Sequence, residues 1–161
     1  MDIISHGLWG SAAFGRKTKR SFLIAFFFGV LPDLFSFGIF FVQRLFTDGL
    51  NFNHSGPPDI ATIPQYVDTL YNFTHSIFAF SVVFIIVWLF LERPLYEMFA
   101  WLVHILLDIF THSYAFFPTP FLWPISNFKV DGISWAQPII FVPNIVLLVV
   151  VYILFLRRKK S

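Results

Sequence analysis

The chain has 161 residues, of which 57% are hydrophobic and only 12% charged, and Phe alone occurs 24 times. That composition excludes an ordinary soluble domain and implies one integral membrane domain, residues 1–161. With no Cys, disulfides and thiolate metal sites are excluded. The net charge of +2 comes from Lys and Arg at the edges of apolar segments, a pattern that suits membrane orientation and not a direct nucleic-acid partner.

Residues 3–15 (IISHGLWGSAAFG) are apolar but too short to span a bilayer alone, and no cleaved signal peptide is expected there. Gly7, Ser11 and Gly15 recur every fourth residue, a smooth ridge against which another helix can pack closely. His6 and Gly10 form the adjacent row, so His6 is expected to point inward; an interfacial amphipathic helix is the alternative. The basic run 16–20 (RKTKR) precedes an apolar stretch interrupted by Leu31-Pro32-Asp33 and resumed over 34–46. Proline removes a backbone donor and disfavours helix just before it, so this span is predicted to be broken or kinked at the triplet. Asp33 would then sit at the start of the second half, where free N–H groups stabilise a carboxylate. A tight turn between two short helices is the other reading.

Residues 47–71 are polar and rich in turn residues, with Gly56-Pro57-Pro58 at the centre, and read as an extramembrane loop in which His54 is exposed. Thr74-His75-Ser76 opens a second span ending at Glu92-Arg93-Pro94; Thr74 and Ser76 are placed to cap the helix or orient the imidazole. A third span is predicted over about 95–117. Within it His104, Asp108 and His112 fall at steps of four, which drift by only ~40° around a helix and so form one polar stripe, with Thr111 beside it. The Pro- and aromatic-rich stretch 116–124 suits a membrane interface. Asp131-Gly132 marks a turn, and the last span covers about 138–156, with Pro143-Asn144 inside it.

The resulting expectation is an all-α polytopic bundle of about four transmembrane helices plus a short N-terminal helix, one of them broken at Leu31-Pro32-Asp33. Nine of the eleven Lys and Arg fall on one side if 16–20, Arg93 and 157–160 are placed together, which by the positive-inside rule puts both termini in the cytoplasm. Counted from those charges at ~1.5 Å per helical residue, His6 and His104 lie ~15–16 Å up, Asp33 and Asp108 ~21–22 Å, and His75 and His112 ~27–28 Å. All six fall between the membrane middle and its outer face.

Ionisable groups in hydrocarbon cost roughly 3 kcal/mol each on insertion scales and are usually paired and functional. Four imidazoles and two carboxylates without a thiol are the ligand set of zinc, manganese or ferrous iron, and six ligands exceed one tetrahedral site, so one or two ions are expected. His6, Asp33, His75, His104, Asp108 and His112 are the candidate ligands, with Asp33 or Asp108 bridging. An unliganded carboxylate, Asp33, or His112 is the candidate base.

These same residues carry a resemblance. His6, the Leu31-Pro32-Asp33 triplet, Thr74-His75-Ser76 and the block His104…Asp108…Thr111-His112 resemble a bacterial inner-membrane family of predicted metal-dependent hydrolases that includes a LexA-binding, inner-membrane-associated type. Many of its members carry His-Arg-Gly shortly before Thr-His-Ser. This chain has Leu70, Tyr71 and Asn72 there, so one ligand and one phosphate-binding arginine of that pattern are absent. More remotely, the order His, Asp, His, His-x-x-x-Asp is similar to zinc-dependent phospholipases C, which implies a phosphoester substrate. The expected function is a multi-pass inner-membrane hydrolase using a divalent metal on a lipid or other amphiphilic ester in the outer half of the bilayer. A metal-ion or proton transporter and a membrane scaffold with a structural metal are the alternatives. A transporter needs polar residues continuing to the cytoplasmic face, and Met98, Trp101 and Leu102 lie there instead. Oligomeric state is left open.

Overall fold

The computed structural model describes residues 1–47 and 60–158. The loop around Gly56-Pro57-Pro58, His54 and the last basic residues lie outside the described residues. Among the described residues there are six α-helices: α1 (Ile3–Phe14), α2 (Lys19–Thr47), α3 (Gln65–Thr74), α4 (Ile77–Leu91), α5 (Phe99–Thr111) and α6 (Pro138–Arg158). Short 3-10 turns cover Ile60–Thr62 and Tyr96–Met98.

Helices α1 and α5 form the inside of the bundle. Asp2 caps α1 by accepting from the Ser5 amide at 2.9 Å. The small-residue rows of α1 then do what their spacing implies. A methyl added at Gly10 would lie 2.7 Å from the Ala100 Cβ of α5, and one at Gly29 of α2 would lie 2.7 Å from the His6 carbonyl. Three backbones approach that closely only because those side chains are missing.

Helices α2, α4 and α6 carry exposed apolar side chains such as Leu23, Phe41, Ile86, Phe90, Val142 and Leu154. In water such a surface would aggregate; around a bundle of this composition it faces lipid. Helix α6 is tied inward at separate points along α1. Asn144 donates to Ser5 Oγ and accepts from the Trp9 indole, both at 2.8 Å, and the Tyr152 hydroxyl donates to the Leu8 carbonyl at 2.8 Å.

Two expectations about the spans need correction. Among the described residues only Lys19–Thr47 and Pro138–Phe155 are long and apolar enough to cross a membrane. Helices α3 and α4 add a third crossing if their 65° bend is taken as a break within one span. The predicted 95–117 span is not a crossing: α5 has 13 residues, or about 20 Å of helix against a hydrocarbon core of about 30 Å. Its end is cut by a segment that folds back. The amides of Gly132, Ile133 and Trp135 donate to the carbonyls of His112, Phe110 and Thr111 at 2.8, 3.0 and 2.9 Å. Gly132 is required there, since a Cβ would sit 2.3 Å from the Phe110 carbonyl oxygen.

The break is not at Leu31-Pro32-Asp33 either. Helix α2 runs unbroken through Pro32, and the Ser36 hydroxyl donates to the Pro32 carbonyl at 2.8 Å. One lost donor inside a long helix flanked by α1 and α5 is tolerated. Asp33 therefore sits mid-helix and not at a fresh N-terminus. The discontinuity lies at His75-Ser76, between α3 and α4, and residues 65–71, expected in a loop, belong to α3.

A candidate metal centre at the middle of the bundle

The bend between α3 and α4 is what brings His75 inward. Ser76 caps α4 by accepting from the Phe78 and Ala79 amides at 3.1 and 3.2 Å, and its own hydroxyl donates to the Trp123 carbonyl. The Ile77 amide donates to Phe121 O at 3.0 Å, and the Trp101 indole donates to Thr74 O at 2.6 Å. The chain bends here by 65° with its polar groups satisfied, so the imidazole between the two helices is held in one place.

Around it, Asp33 from α2 and His104 and Asp108 from α5 complete a group whose ligand atoms all lie within 4.8 Å of one another. His75 Nε2 is 3.0 Å from His104 Nε2, 3.5 Å from Asp33 Oδ1 and 3.6 Å from Asp108 Oδ2. His104 Nε2 is 3.2 Å from Asp108 Oδ2 and 3.7 Å from Asp33 Oδ1. His75, His104 and Asp108 are completely buried, whereas Asp33 keeps 17% side-chain exposure.

The two remaining predicted ligands meet the other oxygen of Asp108. His6 Nε2 lies 2.9 Å from Asp108 Oδ1, and the His6 ring stacks on His104 with centroids 3.6 Å apart. His112 Nε2 lies 3.4 Å from Oδ1. The Met1 amino group rests against Oδ1 and is 3.2 Å from His112 Nε2. The other five residues singled out in the sequence thus gather about Asp108 in two sets: Asp33, His75 and His104 on the Oδ2 side, His6 and His112 at Oδ1.

The hydrogen-bond pattern fixes which nitrogen of each ring is free. His104 Nδ1 is 2.7 Å from Gly29 O, His112 Nδ1 is 2.9 Å from Phe117 O, and His75 Nδ1 is 3.2 Å from Tyr71 O and 3.0 Å from Thr74 Oγ1. A carbonyl oxygen only accepts, so each Nδ1 carries the proton and a neutral ring turns an Nε2 lone pair toward the cluster. Two such lone pairs 3.0 Å apart, on His75 and His104, repel unless a cation or a shared proton lies between them. Among the described residues His6 Nδ1 and Nε2 and Asp108 Oδ2 are also buried without a hydrogen bond; the 2.9 Å approach of His6 to Asp108 is misaligned for one. Buried polar atoms left in this state are costly unless a ligand satisfies them. Oxygen and imidazole donors without sulfur fit a borderline divalent ion.

Tyr71 is the residue that sequence patterning did not single out. Its ring stacks on His75 with centroids 3.8 Å apart, and its hydroxyl donates to Phe117 O at 2.9 Å while lying 3.2 Å from His112 Nδ1. It therefore orients two of the histidines. The one available signal was its place four residues before His75, a full helical turn.

Apolar clusters close the site on both sides. Phe37, Phe40, Val67, Tyr71 and Phe117 form one; Phe80, Met98, Trp101 and Ile105 form the other.

Compared with known proteins, the chain matches no curated protein and no solved structure. A family profile does match, that of the YdjM inner membrane protein, over residues 1–161. Since that match takes in every helix described above and all the residues gathered at Asp108, the chain belongs to the YdjM inner membrane protein family.

Proposed function

We propose that this protein is a metal-dependent hydrolase embedded in the bilayer, acting on a phosphoester or carboxyl ester of a lipid or similar amphiphile. The observation that carries the reading is the pair of Nε2 lone pairs of His75 and His104, 3.0 Å apart beside two carboxylates, with both Nδ1 protons committed to backbone or hydroxyl oxygen. Asp33, His75, His104 and Asp108 would hold a divalent ion, zinc ahead of manganese or iron for this nitrogen-rich set. Such an ion supplies Lewis acidity and lowers the pKa of water.

The chain's own groups divide the remaining tasks. Asp33 alone among the four retains exposure, which makes it the edge from which water or an ester approaches. His112, with its Nδ1 proton anchored on Phe117 O and Tyr71 behind it, is held so that Nε2 accepts and returns a proton. A second ion at the other oxygen of Asp108, between His6 and His112, would have to displace the Met1 amino group that rests there. The buried apolar cluster of Phe80, Met98, Trp101 and Ile105 interrupts any polar path toward the other face, which disfavours an ion or proton relay through the bundle.

The basic run 16–20 and the end of α6 share one end of the molecule, where Arg16, Lys19 and Phe155 line a common cavity. With that end cytoplasmic, the end of α6 lies inside and the cluster falls in the outer half of the bilayer; the Met1 amino group, which rests against Asp108, lies with the cluster and not in the cytoplasm as expected. The test is elemental analysis of protein purified in mild detergent without chelator, coupled to turnover of a panel of phosphoesters and carboxyl esters. One or two equivalents of divalent metal with chelator-sensitive turnover are expected. Metal without turnover would favour the scaffold reading, and no metal with no metal-dependent change in melting temperature would end the metal reading altogether.

A further inference from the structure

At the end of the bundle where the basic run 16–20 meets α6 there is a cavity of about 300 Å³, room for about ten water molecules at ~30 Å³ each. It lies between the α1–α2 turn and the last turns of α6. Arg16, Thr18 and Lys19 form its polar side, and Phe22, Leu23 and Phe155 its apolar side. Among the described residues neither Arg16 nor Lys19 is paired with a carboxylate; Arg16 uses only its Nε, on the Ala12 carbonyl. The nearby acid, Glu97, is taken up by the Ser21 hydroxyl at 2.6 Å. Arg157 follows Phe155 by two residues and adds to the positive field.

We propose that this cavity is a binding site for the headgroup of an anionic phospholipid. Two unpaired cations above an apolar floor, at the level where the lipid-facing surface of α2 begins, match a phosphate joined to acyl chains. Neither a soluble anion nor a purely apolar ligand uses both halves. The site lies apart from the His–Asp cluster and does not depend on the hydrolase reading. A lipid held there would join the α1–α2 turn to the end of α6, which beyond Tyr152 has no hydrogen bond to the rest of the bundle among the described residues.

The experiment is native mass spectrometry and lipid titration of the intact protein in detergent, with phosphatidylglycerol, phosphatidylcholine and inorganic phosphate as probes. We expect one phosphatidylglycerol retained in preference to phosphatidylcholine, and a rise in melting temperature with the former but not with inorganic phosphate. Arg16→Gln/Lys19→Gln should weaken phosphatidylglycerol about twenty-five-fold, taking about a five-fold loss for each charge that meets the headgroup. Lys17→Gln/Arg20→Gln removes the same charge from neighbouring residues that do not line the cavity and should weaken binding much less. Equal losses in the two double variants would mean a diffuse basic surface and overturn the site. So would equal retention of the two lipids by the unmodified protein, a reading that needs no variant to fold. Stabilisation by inorganic phosphate alone would overturn the lipid assignment.

Discussion

Asp108→Asn is the most informative single change, because the carboxylate meets all four histidines of the cluster. Oδ2 faces His104 at 3.2 Å and His75 at 3.6 Å, while Oδ1 faces His6 at 2.9 Å and His112 at 3.4 Å. The substitution keeps shape and volume and removes one fully buried negative charge. Loss of one partner from a buried charge pair costs about 3–5 kcal/mol. At 1.4 kcal/mol per decade, that is a fall in metal affinity of about two to three and a half decades. Metal content after dialysis against a weak chelator, melting temperature and ester turnover should be measured on the same preparations. The expectation is that metal and turnover fall together, and that the wild-type melting temperature drops on chelation toward that of the variant. If Asp108→Asn keeps stoichiometric metal and loses only stability, the carboxylate is a structural partner of the histidines and the proposed centre is wrong.

Three further outcomes follow from the geometry. Gly132→Ala places a methyl 2.3 Å from the Phe110 carbonyl, a backbone atom that cannot yield cheaply; it should cost about 1–3 kcal/mol by overpacking and lower turnover by shifting His112, and unchanged melting and activity would show that the 131–135 segment does not set the end of α5. Ile105→Ala, fully buried among Phe80, Met98 and Trp101, should destabilise by about 2–5 kcal/mol with little loss of metal, whereas Leu106→Ala, 46% exposed on the lipid side, should do little; equal melting temperatures would contradict the packing. Cysteine at Asn127, exposed beyond α5, should react with an impermeant thiol reagent in intact cells, and cysteine at Lys17 should not; the reverse pattern would place the cluster in the cytoplasmic half.

The six polar members of the cluster were legible because each interrupts an apolar run, where an ionisable side chain is conspicuous. The close packing of α1 was legible from its glycines, and the capping role of Ser76 from its place before an apolar stretch. The lengths of the helices were not. Hydropathy over 95–117 is continuous, and nothing local ends α5 at Thr111; the end is imposed by amides from residues 132–135, twenty or more positions away. Intrinsic propensity puts the break at Pro32, yet α2 stays intact against α1 and α5. Tertiary contacts bend the chain at His75 instead, through hydrogen bonds from Trp101 and to Phe121 and Trp123. Tyr71 escaped notice because a tyrosine four residues before a histidine is unremarkable until both rings face the same cavity.

The oxygens at Gly29, Tyr71 and Phe117 that orient three of the imidazoles belong to the main chain. No point substitution deletes a carbonyl, so these orienting partners are shielded from mutation in a way that carboxylate or amide side chains are not. Selection can reach them only through the course of the backbone. In a screen for loss of function, damage should therefore concentrate at the ligands themselves and at small residues such as Gly10 and Gly29, where a single methyl pushes two helices apart. The side chain at 117 would tolerate exchange for others that fill the same space, whereas Tyr71, whose ring and hydroxyl meet His75 and His112, would not.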